Sequence, residues 1–441
     1  MDALTIGIIG IILLFVLLAL GVHIGVALIA SGLMGLWILT GFEGAIKMVT
    51  SAFYHKVSKP ALITLPLFIL MGHLASGGGI SQGIYNSLSM WLGRFRSGLG
   101  ISTVAACTAF GTVCGSSLVT AAVFAKISAP QMRRYGYDKV LAYSICASGG
   151  SIGMLIPPSI LAIVYGTLSG VSIGKVLMAG VAPGILLLLA FSATIVIIGK
   201  IKPSMVGRPM EPSTWRERIT SLKSWWSIVI VGIVIFGGMY AGIFSPTEAG
   251  AVAAFILLVI YLFVTLPNLN RKESIKELLS NLTETSVTSA MIFLVMGGAT
   301  VFSHFIVLSG ITTALSDMML GTGLPSFLIM AIFTGIVLLL GCFLDGISIL
   351  CITIPVFNPI AIASGIDPIW YATIIILSIE VGLITPPLGL NLYATKGVAE
   401  KDVSLEDIFK GAIPFFIAML CTLAFLYAFP MVSTYLPSFV N

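Results

Sequence analysis

Ser151-Ile152-Gly153-Met154-Leu155-Ile156-Pro157-Pro158-Ser159 and Val381-Gly382-Leu383-Ile384-Thr385-Pro386-Pro387-Leu388-Gly389 each place two adjacent prolines inside a long apolar run. Proline removes a backbone donor and clashes with the preceding turn, so neither run can be a continuous helix. In lipid, freed backbone groups survive only inside protein or beside a water-filled cavity. Two such breaks at matching positions of two halves point to the substrate and ion site of a secondary transporter.

Composition sets the surroundings of these breaks. Of 441 residues, 58% are hydrophobic and 9% charged, with a mean hydropathy of +1.11. Soluble domains carry about 25% charged residues. Apolar stretches long enough to span the hydrocarbon layer recur along the chain. The reading is an all-α polytopic membrane protein with spans near 3–21, 24–41, 61–77, 140–169, 173–199, 225–243, 246–267, 285–308, 368–393 and 410–430. The start, Met1-Asp2-Ala3-Leu4, lacks the basic region of a signal peptide, so the first run reads as a retained helix.

Two regions, 98–128 and 322–362, are too long for one crossing and have polar, glycine-bearing centres. Each is expected to be a re-entrant hairpin. With the first hairpin entering from the cytoplasm and both termini outside, 18 of the 22 Lys and Arg fall on the inside; only Lys47, Lys56, Lys59 and Lys175 fall outside. That asymmetry favours the orientation. The second hairpin then enters from the opposite face.

Residues 200–224, with Pro203, Pro209, Pro212 and six basic residues, read as a cytoplasmic linker. The expected organisation is a first repeat over 1–199, the linker, and a second repeat over 225–441. Landmarks recur in order: Gly25 and Gly250, Met71-Gly72 and Met296-Gly297, Gly115 and Gly341, Pro157 and Pro386. Five spans and one hairpin per half make the second copy inverted. Segments 43–59 and 270–283 mix charged and apolar residues and read as helices in the membrane interface, or as arms joining static and mobile parts.

The first hairpin's polar centre is Gly111-Thr112-Val113-Cys114-Gly115-Ser116-Ser117. Its hydroxyls and free carbonyls suit a small cation, and the following helix start suits a carboxylate. Small and hydroxyl residues also serve plain helix packing in membranes. The second hairpin holds Asp345, Gly346 and Ser348. An ionisable group at membrane depth is a functional candidate; Asp345 could hold a cation, carry a proton or cap a half-helix. The breaks add Gly149, Gly150, Ser151 and Pro157 on one side and Thr385 and Pro386 on the other, with Glu380 before and Asn391 after the second break. Ser245-Pro246-Thr247-Glu248 reads as a helix start. The six cysteines show no CxxC spacing, the four histidines share no ligand spacing, and neither HExxH nor a Walker A motif occurs. An enzyme or an ATP-driven pump is therefore not expected, and no cofactor is.

Together, Gly115-Ser116-Ser117, Ile156-Pro157-Pro158-Ser159, Ser245-Pro246-Thr247-Glu248-Ala249, Asp345 and Thr385-Pro386-Pro387-Leu388-Gly389 resemble the DctM-like large membrane subunit of tripartite ATP-independent periplasmic (TRAP) transporters, in the ion transporter superfamily. The resemblance spans the whole chain. It implies an elevator in which hairpins and broken helices slide against a scaffold in the bacterial inner membrane. Sodium would drive uptake of an organic acid such as a C4-dicarboxylate or sialic acid. Partners would be a soluble periplasmic binding protein (DctP-like) and a separate four-helix membrane subunit (DctQ-like). Sodium would sit near Ser116, Ser117, Gly346 and Thr385, close to Gly149 and Gly150. A stand-alone carrier or antiporter of the same superfamily is the alternative.

Overall fold

The computed structural model describes residues 2–77, 79–265, 271–321 and 323–440. The end of the expected span at 246–267, position 270 of the second interfacial segment, position 322 of the second hairpin and the terminal residues 1 and 441 lie outside them. Among the described residues the chain is all helical. Seven helices are long and apolar enough to cross a membrane, or eight if one pair bent by 62° counts as a single span. The chain is a multi-pass membrane protein.

The first half runs α1 (Ala3–Ala19), α2 (Ile24–Val57), α3 (Thr64–Gly77), α4 (Ile80–Leu92), a hairpin of α5 (Gly98–Cys114) and α6 (Ser117–Arg134), then α7 (Lys139–Gly150), α8 (Ile160–Ser169), α9 (Ile173–Ala179) and α10 (Val181–Ile201). The second half also carries a hairpin followed by an interrupted helix. A nearly continuous stretch of α11 (Trp215–Ser221), α12 (Trp226–Gly232) and α13 (Gly238–Tyr240) is followed by α14 (Pro246–Ile260), α15 (Arg271–Leu308) and α16 (Ile311–Gly321). A hairpin of α17 (Ser326–Gly341) and α18 (Gly346–Ala363) precedes α19 (Pro368–Gly382), α20 (Leu390–Val398) and α21 (Leu405–Ala428).

Local chemistry sets the boundaries. Ser245 and Glu248 form a capping box with Pro246 in the first turn of α14, the helix start read from the sequence. Thr214 with Glu217 opens α11 and Ser404 with Asp407 opens α21 in the same way. The non-helical connection between halves is thereby shorter than the polar stretch 200–224, because α10 reaches Ile201 and α11 begins at Trp215. It is pinned to the base of the first hairpin: Arg208 N donates to Tyr135 O and Met210 N to Gly93 O.

Residues 43–57 form a helical segment set off from the first part of α2 by a non-helical kink at Gly41 (φ +78°, ψ 167°), at the boundary read from the sequence. The second segment, 270–283, is not a separate helix, because α15 carries its charged N-terminal part straight into the span. In α15 the hydropathy break marks a change of surroundings, not of backbone. Two helices, α4 and α16, were not among the expected spans. The first is rich in Ser, Gln and Asn, so it lacks the apolar run that a span search detects. The most extensive helix pair is α2 against α15. Gly32 lies so close that a Cβ there would meet Phe302 N at 2.9 Å, the small-residue packing typical of membrane helices.

Candidate functional site

Both proline breaks interrupt helices. After α7 the chain makes a 3-10 turn over Ser151–Met154 and an irregular passage through Leu155–Pro158 before Ser159 caps α8 by accepting Ala162 N at 3.2 Å. After α19 the irregular passage runs over Leu383–Gly389 before α20. Both Pro-Pro bonds are cis.

The turns between α5 and α6 and between α17 and α18 form the two hairpin tips. Gly115 ends α5 with φ +63°, a left-handed conformation that glycine adopts without strain. Ser116 then caps α6 toward Val119 N. In the second hairpin, Asp345 caps α18 by accepting Ile347 N and Ser348 N, both at 3.1 Å, and also accepts from Ser348 Oγ. Asp345 is exposed while Gly346 and Ser348 are buried. Of the three roles open to Asp345, capping is the one the geometry displays.

Each tip rests on the break of its own half. Ile160 N approaches Gly115 O at 3.5 Å, and Leu388 N donates to Cys342 O at 3.2 Å. A Cβ on Gly115 would reach Pro158 O at 2.6 Å. Deeper in the hairpins, Gly111 meets Gly153 and Gly341 meets Gly382 backbone to backbone; a Cβ on Gly341 would lie 2.7 Å from Gly382 Cα. The geometric counterpart of Gly341 is thus Gly111, while Gly115 matches Asp345 as a tip residue. Gly150 packs against Ser117 O, where a Cβ would come within 2.6 Å. A Cβ on Gly149 would meet Cys107 Sγ at 3.0 Å. Thr112 and Thr385 are half-buried, and their hydroxyls donate to Ala109 O and Val381 O within their own helical turns. Pro157 is buried, whereas Pro386 is exposed.

The halves also meet each other. Asn391 Nδ2 donates to Ser151 Oγ at 3.0 Å, and the buried Glu380 is flanked by Ser117, Ser151 and Asn391. The packing is crossed: α20 lies on α6 and α7, and α8 lies on α18. A cavity of about 230 Å³ opens at the first tip, lined by Cys114, Ser116 and Val119 of the hairpin, Ile160 of the break, His73 of α3 and Thr288 of α15. His73 Nδ1 stands 3.4 Å from Glu284 Oε2. The sequence did not single out His73 as a cavity residue, since its neighbours on other helices are distant in the chain. Among the described residues no three His, Cys, Asp or Glu side chains cluster as a metal centre.

The model of the DctM component of tripartite ATP-independent periplasmic transporters matches residues 11–432. The chain belongs to the DctM family. A C4-dicarboxylate TRAP transporter large permease protein of Vibrio cholerae is 32% identical over 97% of this chain and 96% of its own length. The isethionate TRAP transporter permease protein DctMQ of Oleidesulfovibrio alaskensis is 30% identical over 96% of this chain but 64% of its own length. The fold is similar to that of the Alcanivorax borkumensis YdaH transporter, with a TM-score of 0.63, 15% identity and 88% of both chains covered. These relatives of the DctM protein are named as transporter permeases.

Proposed function

We propose that this DctM chain is the large membrane subunit of a sodium-coupled importer of an organic acid anion, working as an elevator in a bacterial inner membrane. The observation that carries the reading is the seating of each hairpin tip on its own broken helix, with Gly115 O by Ile160 N and Cys342 O accepting from Leu388 N. Main chain that leaves helical pairing at membrane depth needs an internal or aqueous partner. Matched breaks are where secondary transporters bind cation and substrate.

The two tips divide the electrostatics. The starts of α6 and α8 are capped by neutral serines, so their positive ends remain available to an anion. The start of α18 is already matched by Asp345. The acid fits the first-tip cavity beside Ser116 and His73. Sodium fits near Ser116 and Ser117 and, at the second tip, near Asp345, Gly346, Ser348 and Thr385. Adjacent cations offset the carboxylate charge, which makes acid binding depend on sodium.

The recurrence of a hairpin followed by an interrupted helix supports two inverted repeats over 1–199 and 225–441, with hairpins at 98–128 and 322–362 moving as one body with the broken helices. The excess of Lys and Arg in inside loops supports periplasmic termini. The tripartite family description supports two further components, a small membrane subunit and a periplasmic binding protein as the donor of substrate. The test is uptake into proteoliposomes containing both membrane subunits. Accumulation is expected with an inward sodium gradient and the binding protein present. Equal uptake with potassium, or uptake without the binding protein, would contradict the reading.

A further inference from the structure

Glu380 sits in the last turn of α19 with no exposed surface. Neither carboxylate oxygen has a hydrogen-bond partner among the described residues, and no Lys, Arg or His pairs with it there. Ser117, Ser151 and Asn391 stand beside it without closing to hydrogen-bond geometry. Ser117 Oγ and Asn391 Oδ1 are themselves unpartnered. Asn391 uses its amide nitrogen on Ser151 Oγ, which leaves its carbonyl oxygen free. Four segments thus bring one carboxylate and three neutral oxygen-bearing side chains together: the start of α6, the turn after α7, the end of α19 and the start of α20.

An isolated buried carboxylate is costly, and orphaned hydroxyl and amide oxygens add to that cost. An all-oxygen donor set is hard and selects hard cations over soft ones. One carboxylate matches one positive charge, and the absence of a second acidic side chain disfavours a divalent ion. We propose that Glu380, Ser117, Ser151 and Asn391 form a sodium site beneath the first hairpin tip, which gives the sodium placed near Ser117 above its charged ligand and is distinct from the second-tip position. Occupation of this site ties the two breaks to the first hairpin, because its ligands come from both halves. This inference rests on sodium being the coupling ion.

The test is radiosodium binding to the purified full chain in detergent, read beside thermal stabilisation by sodium chloride relative to potassium chloride. Glu380→Gln keeps the side-chain size and is expected to bind one sodium fewer per chain and to lose part of the sodium-specific stabilisation. Asn391→Leu keeps the charge and is expected to weaken sodium binding at this site by about tenfold or more, given the strength of a contact to a charged group. It also serves if Glu380→Gln fails to fold. Unchanged sodium number and affinity in the folded variants would overturn the proposal, as would a Glu380 held neutral by a proton with no sodium lost. Absence of any sodium binding in the unsubstituted chain would instead overturn the sodium-coupled reading itself.

Discussion

Asn391 Nδ2 donates to Ser151 Oγ at 3.0 Å although 240 positions separate them. Each side chain sits at a proline break, one per half, so this bond joins the two interruptions directly. The two breaks are linked by packing as well: α20 packs on the first hairpin while α8 packs on the second. A change at either break should be felt at both.

The glycine pairs at the hairpin legs give a first prediction. Gly341→Ala would place a Cβ 2.7 Å from Gly382 Cα, against backbone that cannot rotate away. Overpacking of this kind costs about 1–3 kcal/mol. Thermal unfolding in detergent should show that loss, and Gly111→Ala should show a similar one because Gly111 meets Gly153 in the same manner. Full stability in both variants would mean that the legs and breaks are not packed this closely.

Asp345 separates capping from charge. Asp345→Ala removes acceptors for Ile347 N and Ser348 N, a cap worth about 0.5–2 kcal/mol. Asp345→Asn retains an acceptor and should keep most of that stability. If the second tip holds sodium, Asp345→Asn should still raise the sodium concentration needed for uptake. An Asn variant indistinguishable from the parent in sodium dependence would leave Asp345 as a cap alone.

Lys56 ties the end of α2 to the last turn of α8. Its Nζ donates to Thr167 O at 2.8 Å in a buried setting, where a cation also complements the helix C-terminus. Lys56→Met keeps the stem and removes the donor. The expected cost is about 1.5–3 kcal/mol, the range for hydrogen bonds to charged groups, measured by thermal unfolding. A negligible change would show that α2 and α8 are held together by packing alone.

On the face that carries the basic loops, Arg133 grips Asp402 with two hydrogen bonds and also pairs with Glu400. The Arg133 hydrogen bond holds the Asp402 carboxyl below the usual carboxylate range. A depressed folded-state value contributes docking of the 399–404 loop that is fully present above the ordinary carboxylate range and is lost as pH falls through the depressed value. Hydrogen exchange in this loop should therefore be slow at neutral pH and faster only below about pH 4. Arg133→Ala should give fast exchange already at neutral pH, and equal protection with and without Arg133 would contradict the clamp.

Much of this architecture is written in short-range chemistry. The Pro-Pro breaks, the Gly115 turn, and the Asp345 and Ser245 helix starts are local rules, and they appear at those residues in the structure. What escaped the sequence depended on distant partners or on context. The sequence boundary near residue 41 does coincide with the kink at Gly41, but the continuity of charged residues 275–284 into α15 was hidden by a change in polarity that leaves the backbone unchanged. The polar α4 gave no hydropathy signal. Glu380 and Asn391 were visible beside the second break, but their shared neighbour Ser151 lies in the other half. His73 became a cavity residue only when α3 was set against the first hairpin.

The most direct measurement is the sodium concentration that half-saturates uptake by the reconstituted complex, compared for Ser116→Ala, Thr385→Ala and the unsubstituted chain at matched expression and thermal stability. If the tips and breaks hold the coupling ions, each substitution should raise that concentration several-fold while leaving the fold intact. Identical sodium dependence in all three proteins would contradict the account.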